Sequence, residues 1–222
     1  MVTQWLGEGR WRVGLIHYHG IVGDNALHAH AALQIVLGEA RVMDSEGREV
    51  GAPLYVRPMA PHRLSATGPV DLYLVEPSSR LGQALLEDLP PEPIGTTYRR
   101  HADMLATEQT PEATELPAAL SSALSYLSGE DAMQRTVADA AKGAGVSASA
   151  LRGLAARHLG VSLARWRLWQ ALQSALAALA GGAAIADAAF AAGFSDQAHL
   201  TRSMKATLGL TPGQVVRSVQ QE

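Results

Sequence analysis

An internal repeat in the second half of the chain constrains the fold more than any other feature. The run Val137-Ala-Asp-Ala-Ala recurs 48 positions later as Ile185-Ala-Asp-Ala-Ala. A glycine and a serine follow each run at the same spacing, and they are Gly145, Ser147, Gly193 and Ser195. Alanine favours helices and glycine suits the turns that end them, so each copy predicts a short helix, a tight turn and a second helix. This order of elements is the helix-turn-helix plan.

The second helix of each copy carries further matched residues. Leu151 and Gly160 recur as Leu200 and Gly209 at a spacing of 49, so one residue has been added at the second turn. Alanine richness alone is also compatible with two unrelated helical hairpins. The ordered recurrence of Asp, Gly, Ser, Leu and Gly favours two copies of one helix-turn-helix unit.

A long helix is predicted between the two copies. Ser162 is a favourable N-cap residue, and apolar residues follow it at spacings of three and four, from Trp166 to Leu179. A helix from Leu163 to about Ala180 is roughly 27 Å long at about 1.5 Å per residue. Successive major grooves on one face of B-DNA are about 34 Å apart, so we expect each unit to enter one of two consecutive grooves.

Charge is distributed unequally between the two halves of the 222-residue chain, whose net charge is −3. Residues 1–128 contain nine arginines and fifteen acidic residues, which gives −6, whereas residues 129–222 contain nine basic and six acidic residues, which gives +3. A positive helical half is compatible with phosphate contacts. The chain length and this asymmetry predict two domains.

Composition excludes several classes of protein. The chain contains no cysteine, which excludes disulfide scaffolds, thiolate zinc sites and cysteine nucleophiles and suits a reducing cytoplasm. Its start lacks the apolar core of a signal peptide. The most apolar stretch, Leu176–Phe194, is interrupted by Gly181, Gly182 and Asp187, so we expect no membrane span and a cytoplasmic location. The chain also lacks a glycine-rich phosphate loop and a nucleophile elbow.

The first half, up to about Glu76, has the alternating pattern of short β-strands. The predicted strands are Arg12–His17, Leu27–Val36, Glu39–Asp44 and Val70–Val75. Turn residues, among them Gly38 and Gly68-Pro69, lie between them. Short strands with frequent turns predict a small antiparallel barrel or sandwich.

Helical patterns begin after this β-rich segment. The spacing of Leu81, Leu85 and Leu89 predicts a short amphipathic helix, residues Glu92–Glu115 predict an irregular connection, and a further helix is expected from Pro117 to Leu127. The expected class is α+β. We divide the chain into a β-domain over residues 1–80, a helical connector suited to dimerisation over 81–129, and a domain with both helix-turn-helix units over 130–222.

The second unit resembles a known family of proteins. The segment Ala192-Gly-Phe-Ser-Asp-Gln-Ala-His-Leu-Thr-Arg-Ser-Met-Lys, together with Gly209-Leu-Thr-Pro, resembles the signature of the AraC family of transcription regulators. The resemblance covers residues 131–217 and extends more loosely over the first half, which resembles the cupin-type effector domain common in that family. It implies a cupin-like antiparallel β-barrel followed by an all-α double helix-turn-helix domain.

The resemblance also implies which residues face DNA bases. In the second recognition helix these positions are Gln197, Ala198, His199 and Arg202, and in the first they are Ser149, Arg152 and Gly153. The first helix departs from the family pattern, because it offers little beyond Arg152 to read a base edge. Arg202 and Gln197 suit guanine and adenine edges, so we infer that the second unit supplies most of the discrimination. The residues expected to contact phosphates are Lys205, Arg157 and Thr136.

Histidines in the first half suggest a metal site. His28, His30 and Gln34 are separated by even numbers of residues on the predicted strand Leu27–Val36, so their side chains are expected on one face of that strand. His62 lies in a later segment that an antiparallel barrel could bring opposite this face. This resembles the cupin set of two histidines, an acidic residue and a later histidine, with Gln34 in the acidic position. Imidazoles suit zinc, iron, nickel or copper. The alternative is that these residues line a dry or small-molecule pocket. His17 and His19 form a weaker second pair.

Two functions of different classes remain open at this point. The first is a transcription regulator, not an enzyme, that binds double-stranded promoter DNA, is controlled by a small molecule or metal in the barrel, forms a homodimer and contacts RNA polymerase. The second is a cupin metalloenzyme with a helical tail that binds a partner. Gln34 and the complete signature of the second unit favour the regulator.

Overall fold

The first half of the chain forms one antiparallel sheet. The computed structural model describes residues 5–12, 14–23, 25–107, 115–128 and 135–219. The strands are β1 (Leu6–Arg12), β2 (Leu15–Ile21), β3 (Leu33–Asp44), β4 (Glu49–Gly51), β5 (Leu54–Val56), β6 (His62–Val75) and β7 (Ile94–Thr96). Their spatial order is β1-β2-β6-β3-β5-β7, and β4 pairs with β3. Within the described residues the sheet is open, with β1 and β7 at its edges, so the antiparallel β-domain is confirmed without closure into a barrel.

Two predicted turns lie inside long strands instead. β3 continues through Gly38, and β6 continues through Gly68-Pro69. The pairing of these strands shifts register between Gly38 and Ala40, which marks a β-bulge. Gly38 has φ +99°, and a Cβ there would lie 2.5 Å from the Pro69 carbonyl oxygen. The glycine is therefore required by close strand approach at a bulge and not by a chain reversal.

Three predictions about the elements of the first half are wrong. The strand predicted over Arg12–His17 is split between β1 and β2, because a tight turn containing Gly14 joins them. The strand predicted over Leu27–Val36 begins only at Leu33. The connection predicted over Glu92–Glu115 contains β7 and a helix, Arg99–Thr107, although its residues 108–114 lie outside the described part.

The helices begin after β6 and fill the second half. They are α1 (Arg80–Asp88), α2 (Arg99–Thr107), α3 (Ala118–Tyr126), α4 (Val137–Gly143), α5 (Ala148–Leu159), α6 (Leu163–Ala180), α7 (Ile185–Ala191), α8 (Gln197–Leu208) and α9 (Pro212–Val219). The long helix predicted between the two copies of the repeat is confirmed as α6, with Ser162 accepting a hydrogen bond from the Arg165 amide. None of the helices in the described ranges combines the length and the hydropathy that a bilayer crossing requires.

One hydrophobic core joins α3 to the helix-turn-helix units and to one face of the sheet. The apolar side of α3, including Leu120 and Leu124, is buried with Trp169 and Leu172 of α6. Ile16 of β2 belongs to the same cluster. The apolar face of α3 is thus occupied within the chain.

A buried carboxylate, that of Glu76, links the sheet to α6 by hydrogen bonds. Glu76, directly after β6, is 5% exposed, and its oxygens accept hydrogen bonds from Trp166 Nε1 at 2.7 Å, Gln170 Nε2 at 2.7 Å and Gln173 Nε2 at 2.9 Å. Ser78 Oγ donates a fourth at 2.9 Å. The three donors on α6 lie at i, i+4 and i+7, on one helix face. The position of α6 against the sheet is therefore set by a polar contact as well as by apolar packing.

Candidate DNA-binding surface and ligand cavity

The first helix-turn-helix unit consists of α4, α5 and the turn between them. Thr136 caps α4 by accepting a hydrogen bond from the Asp139 amide, and Ser147 caps α5 in the same way. Gly145 in the turn has φ +69°, and Gly160 after α5 has φ +68°. These left-handed conformations are those that glycine adopts without strain.

The second unit, α7 and α8, repeats this geometry. Gly193 in the turn has φ +81° and Gly209 after α8 has φ +70°. The residue added at the second turn moves the cap of the recognition helix to Asp196, which accepts a hydrogen bond from the His199 amide at 2.6 Å. That bond lowers the pKa of the Asp196 carboxyl, so a negative charge is held at the start of α8. Ala184, at the start of α7, makes no side-chain cap.

The exposed face of α8 carries the residues expected to meet bases. Ala198 and Arg202, four residues apart, are exposed on the face away from the buried Leu200 and Met204, and Gln197 is exposed at the first turn of the helix. His199 differs from these, because its ring packs edge-on against Phe194 with centroids 5.1 Å apart, and its Nδ1 lies 3.2 Å from Ser195 Oγ. The structure therefore leaves Gln197, Ala198 and Arg202 accessible to DNA, whereas the His199 ring packs against the turn before the helix.

The first recognition helix offers a barer surface. Ser149, Arg152 and Gly153 of α5 are exposed, and no atom of the described residues would meet a Cβ at Gly153 within 4 Å. Arg157 and Lys205, the charged residues expected to contact phosphates, are exposed as well. The hydroxyl of Thr136, the third such residue, donates to Asp139 Oδ2 at 2.6 Å.

His28, His30 and His62 lie close together, although not because they share one face of a strand. His28 lies outside the strands, in a bridge with His62 in which each amide donates to the other's carbonyl at 2.9 and 3.0 Å. His30 lies in the loop before β3, and its carbonyl accepts from the Met59 amide. The side chains of His28, His30 and His62 each offer a ring nitrogen within 4.8 Å of the others. The predicted placement of His28, His30 and Gln34 on one face of a single strand was therefore wrong. Residues 28–30 precede β3 and are held by backbone hydrogen bonds to residues 59–62.

Each imidazole of this cluster is oriented by a backbone carbonyl. The Nδ1 atoms of His28, His30 and His62 lie 2.8, 3.0 and 2.9 Å from the carbonyl oxygens of Ala26, Ala32 and Ala60. Since a carbonyl only accepts, each Nδ1 is the donor and each Nε2 keeps a lone pair. Burial lowers the pKa of all three, to about 4 for His30, which favours the neutral rings.

Gln34 completes a set of donor atoms that fits a divalent cation. Its Oε1 lies 3.0 Å from His30 Nε2 and 3.2 Å from His62 Nε2, while its buried Nε2 finds no acceptor among the residues that the structure describes. With the amide in this orientation, its oxygen and the two imidazole nitrogens would serve as ligands if a cation bound there. Neutral imidazoles held by carbonyls are the usual ligands of zinc, nickel, iron and copper.

The second histidine pair has a different arrangement. His17 Nε2 and His19 Nδ1 both bond Asp71 Oδ1, at 2.8 and 2.9 Å, and the His17 ring stacks on Tyr73. Neither residue joins the one potential metal-ligating group found among the described residues. These contacts link β2 to β6.

A cavity beside the histidine cluster was not anticipated from the sequence. It has a volume of about 100 Å³ and lies between the sheet and the second helix-turn-helix unit. Trp5, Trp11, His28, His30 and Gln34 line one side, and the other side is formed by Leu176, Leu208, Leu210 and Val215. The sequence held one signal of this cavity. Trp5 and Trp11 are six residues apart, and residues separated by an even number of positions along a strand lie on the same face of the sheet.

Comparisons with known proteins agree with this architecture. A family model described as a helix-turn-helix domain matches residues 140–218. The crystal structure of an apo variant of ToxT from Vibrio cholerae is similar to the chain with a TM-score of 0.63 and 10% identity, over 94% of this chain and 99% of that one. Wild-type ToxT with a bound unsaturated fatty acid gives a TM-score of 0.62 at 10% identity, over 94% and 96% of the two chains.

A third structure matches about half of this chain. It is a transcriptional regulator with an AraC-type DNA-binding domain from Chromobacterium violaceum, with 24% identity, a TM-score of 0.43 and coverage of 46% of this chain and 93% of that one. No curated protein sequence matches the chain. The chain thus has the two-part fold of ToxT, and its residues 140–218 match a helix-turn-helix domain.

Proposed function

We propose that the chain is a sequence-specific DNA-binding transcription regulator whose activity is controlled by a ligand held between its two halves. The observation that carries this proposal is the pair of matched helix-turn-helix units, each with an exposed recognition helix and a buried opposite face. Regulation of transcription, and not catalysis, is the role that such a domain supports.

The exposed residues divide by the kind of contact they suit. Gln197 and Arg202 suit base edges, with Ala198 able to approach a thymine methyl group. Ser149 and Arg152 supply the weaker base contacts of the first unit, and Arg157 and Lys205 suit phosphates. The Nδ1 of His199 is engaged by Ser195, which leaves its Nε2 for DNA contact, whereas the Thr136 hydroxyl must give up its bond to Asp139 before it can donate to a phosphate.

The test is selection of bound sequences from genomic DNA by the intact chain, followed by affinity measurements at several salt concentrations. We expect enrichment of a two-part site with half-sites about one helical turn apart, and affinity that falls steeply with salt because counterions are released. A folded chain that enriches no sequence, or whose DNA affinity ignores salt, contradicts the proposal. Metal-dependent turnover without DNA affinity would favour the metalloenzyme instead.

A divalent metal at His28, His30 and His62, with Gln34, is a second proposal about the same region. Its support is the convergence of three neutral imidazole nitrogens within 4.8 Å. Such an ion would place a positive, Lewis-acidic centre at one end of the cavity. We expect about one zinc, nickel, iron or copper per chain by elemental analysis of protein purified without a histidine tag.

The matched control for the metal proposal is built into the chain. A double variant, His28→Ala with His30→Ala, should lose the metal, whereas His17→Ala with His19→Ala should retain it. Equal metal content in both double variants would overturn the assignment.

Control by a ligand is supported by the position of the cavity. Its wall includes Leu208 and Leu210, on either side of the glycine that ends α8, so a bound molecule contacts the unit with the richer recognition helix. ToxT, which shares the fold, has been crystallised with an unsaturated fatty acid.

Four further features stay predictions: homodimerisation, contact with RNA polymerase, a cytoplasmic location and the division of the chain at residues 80 and 129. Because α3 shares the helical core, a DNA-binding fragment should include it.

A further inference from the structure

Strand β1 forms a free edge of the sheet. It is seven residues long and lies at one end of the strand order, and among the described residues no strand or backbone group pairs with its outer side. The opposite edge strand, β7, has only three residues. Proteins usually shorten a free edge or interrupt it with proline or a bulge, because its unpaired amides and carbonyls pair readily with another chain. β1 contains no proline, and its pairing with β2 is continuous, so this edge is open to another strand.

The hairpin formed by β1 and β2 determines which peptide groups face this edge. Arg12 pairs with Leu15 across a two-residue turn. In such a hairpin the pair beside the turn is hydrogen-bonded, and hydrogen-bonded and non-hydrogen-bonded pairs then alternate along the strands. Gly7, Gly9 and Trp11 belong to the non-hydrogen-bonded pairs, so their N–H and C=O groups point away from β2. These groups can form a ladder with a second strand.

The two faces of β1 carry different side chains. Gly9 and Trp11 line the cavity on the helical side, where α9 contributes Val215. Glu8 and Arg10 lie on the other face, since side chains alternate along a strand. Their side chains are 76% and 67% exposed, and the distance between Glu8 Oε2 and Arg10 Nη2 is 3.7 Å. An exposed ion pair of this kind is weak, so both charges remain accessible to a second chain.

The order of these charges makes β1 complementary to itself in one register. If two copies pair antiparallel with Gly9 opposite Gly9, Glu8 of each copy lies opposite Arg10 of the other, and the outward peptide groups of the two strands meet. Pairing about Glu8 would place glutamate opposite glutamate, and pairing about Arg10 would place arginine opposite arginine. Opposite charges in such cross-strand pairs stabilise a sheet, whereas like charges destabilise it. The register about Gly9 is therefore favoured over both of these alternatives.

We infer that β1 is the interface of a homodimer, in which it pairs antiparallel with β1 of a second copy about Gly9. The sheet then continues from one copy into the other. The helical connector that the sequence suggested for dimerisation is a less suitable surface, because the apolar side of its helix α3 is buried in the core of the same chain. The inference goes beyond the proposed function, and it stands or falls separately from DNA binding.

The test measures the dimer dissociation constant of the full chain by sedimentation at low salt, where charges are least screened. We expect the unaltered chain to dimerise reversibly. Glu8→Arg and Arg10→Glu should each raise the dissociation constant about tenfold, because like charges replace opposite charges at two symmetric positions. Glu49→Arg is the matched control, since it reverses an exposed charge that lies 3.4 Å from Arg41 on another part of the sheet, and it should leave the constant unchanged.

A mixture of the two variants separates pairing between copies from the contact within one chain. Chains with Glu8→Arg carry two positive residues on the outer face of β1, and chains with Arg10→Glu carry two negative residues there. An equimolar mixture should therefore dimerise about as tightly as the unaltered chain, although neither variant does so alone. An unaltered chain that stays monomeric, a dimer that both variants leave unchanged, or a mixture that dimerises no better than its components overturns the inference.

Discussion

The two helix-turn-helix units share a backbone plan but offer different side chains to DNA. Both recognition helices are 12 residues long and end at a glycine with φ near +70°. On the exposed faces, α8 carries Gln197 and Arg202, whereas α5 carries Arg152 among small residues. The buried positions Leu151 and Leu200 correspond. The comparison teaches that packing requirements maintain the unit while its exposed face is free to specialise.

The same contrast extends to how each unit begins. Thr136 caps α4 with its side chain, and Ala184, at the matched position of α7, does not. The second unit, which we predict to supply most of the base contacts, is therefore less well capped at its first helix than the first unit. It also lies against the cavity, through Leu208 and Leu210. The unit predicted to carry specificity is thus also the one in contact with the ligand site.

The largest expected effect comes from the contact that holds α6, the helix between the units. Glu76→Ala would leave the donors of Trp166, Gln170 and Gln173 buried without their carboxylate. We expect a loss of about 3 kcal/mol in the free energy of unfolding, measured by urea denaturation. Glu87→Ala, at an exposed position of α1, is the control and should change stability by less than about 0.5 kcal/mol. If Glu76→Ala and Glu87→Ala changed the free energy of unfolding equally, the hydrogen bonds of Glu76 to α6 would not contribute to stability.

The difference in capping predicts opposite effects of two small changes. Thr136→Ala removes the cap of α4 and should cost about 1 kcal/mol of stability. Ala184→Thr supplies the missing cap of α7 and should add about 0.5 kcal/mol. Thermal or urea unfolding of the full chain measures both. A gain from Thr136→Ala, or a loss from Ala184→Thr, would show that the ends of the two units differ for another reason.

The smallest effect is expected from a phosphate contact of the second unit. Lys205→Ala should weaken binding to all DNA sequences alike and reduce the slope of log affinity against log salt by about one. The control is Arg41→Ala, an exposed change on the sheet. A change in base preference on substitution of Lys205 would place this residue in the base-reading set.

The elements that the sequence predicted well are those determined by neighbouring residues. The repeat, the caps and α6 all depend on spacings within a few turns of helix. The segment before Leu33 could not be predicted in this way, because His28 is held by pairing with the distant His62. The segment after Glu92 likewise depends on His101, whose buried ring bonds Asp88 and Thr97 at 2.7 Å.

The candidate sites also differ in whether neighbouring or distant residues determine them. The exposed residues of α8 followed from the family signature, since that signature is contiguous in sequence. The histidine cluster was identified by residue type, although the reason given for its convergence was wrong. The cavity was missed, because no local pattern places Leu208 and Leu210 opposite Trp5 and Trp11. Contacts between the two halves of the chain are the part that local periodicity does not encode.

The most direct test of the central claim is a comparison of Arg202→Ala and Arg152→Ala on single-base variants of the selected DNA site, at two salt concentrations. The account predicts that Arg202→Ala loses about 1–3 kcal/mol of binding free energy and relaxes the preference at one base pair. Arg152→Ala should have a smaller effect on base preference, between those of Arg202→Ala and Lys205→Ala. If Arg202→Ala weakens binding equally on every variant while Arg152→Ala changes base preference, the second unit does not dominate recognition and the account is contradicted.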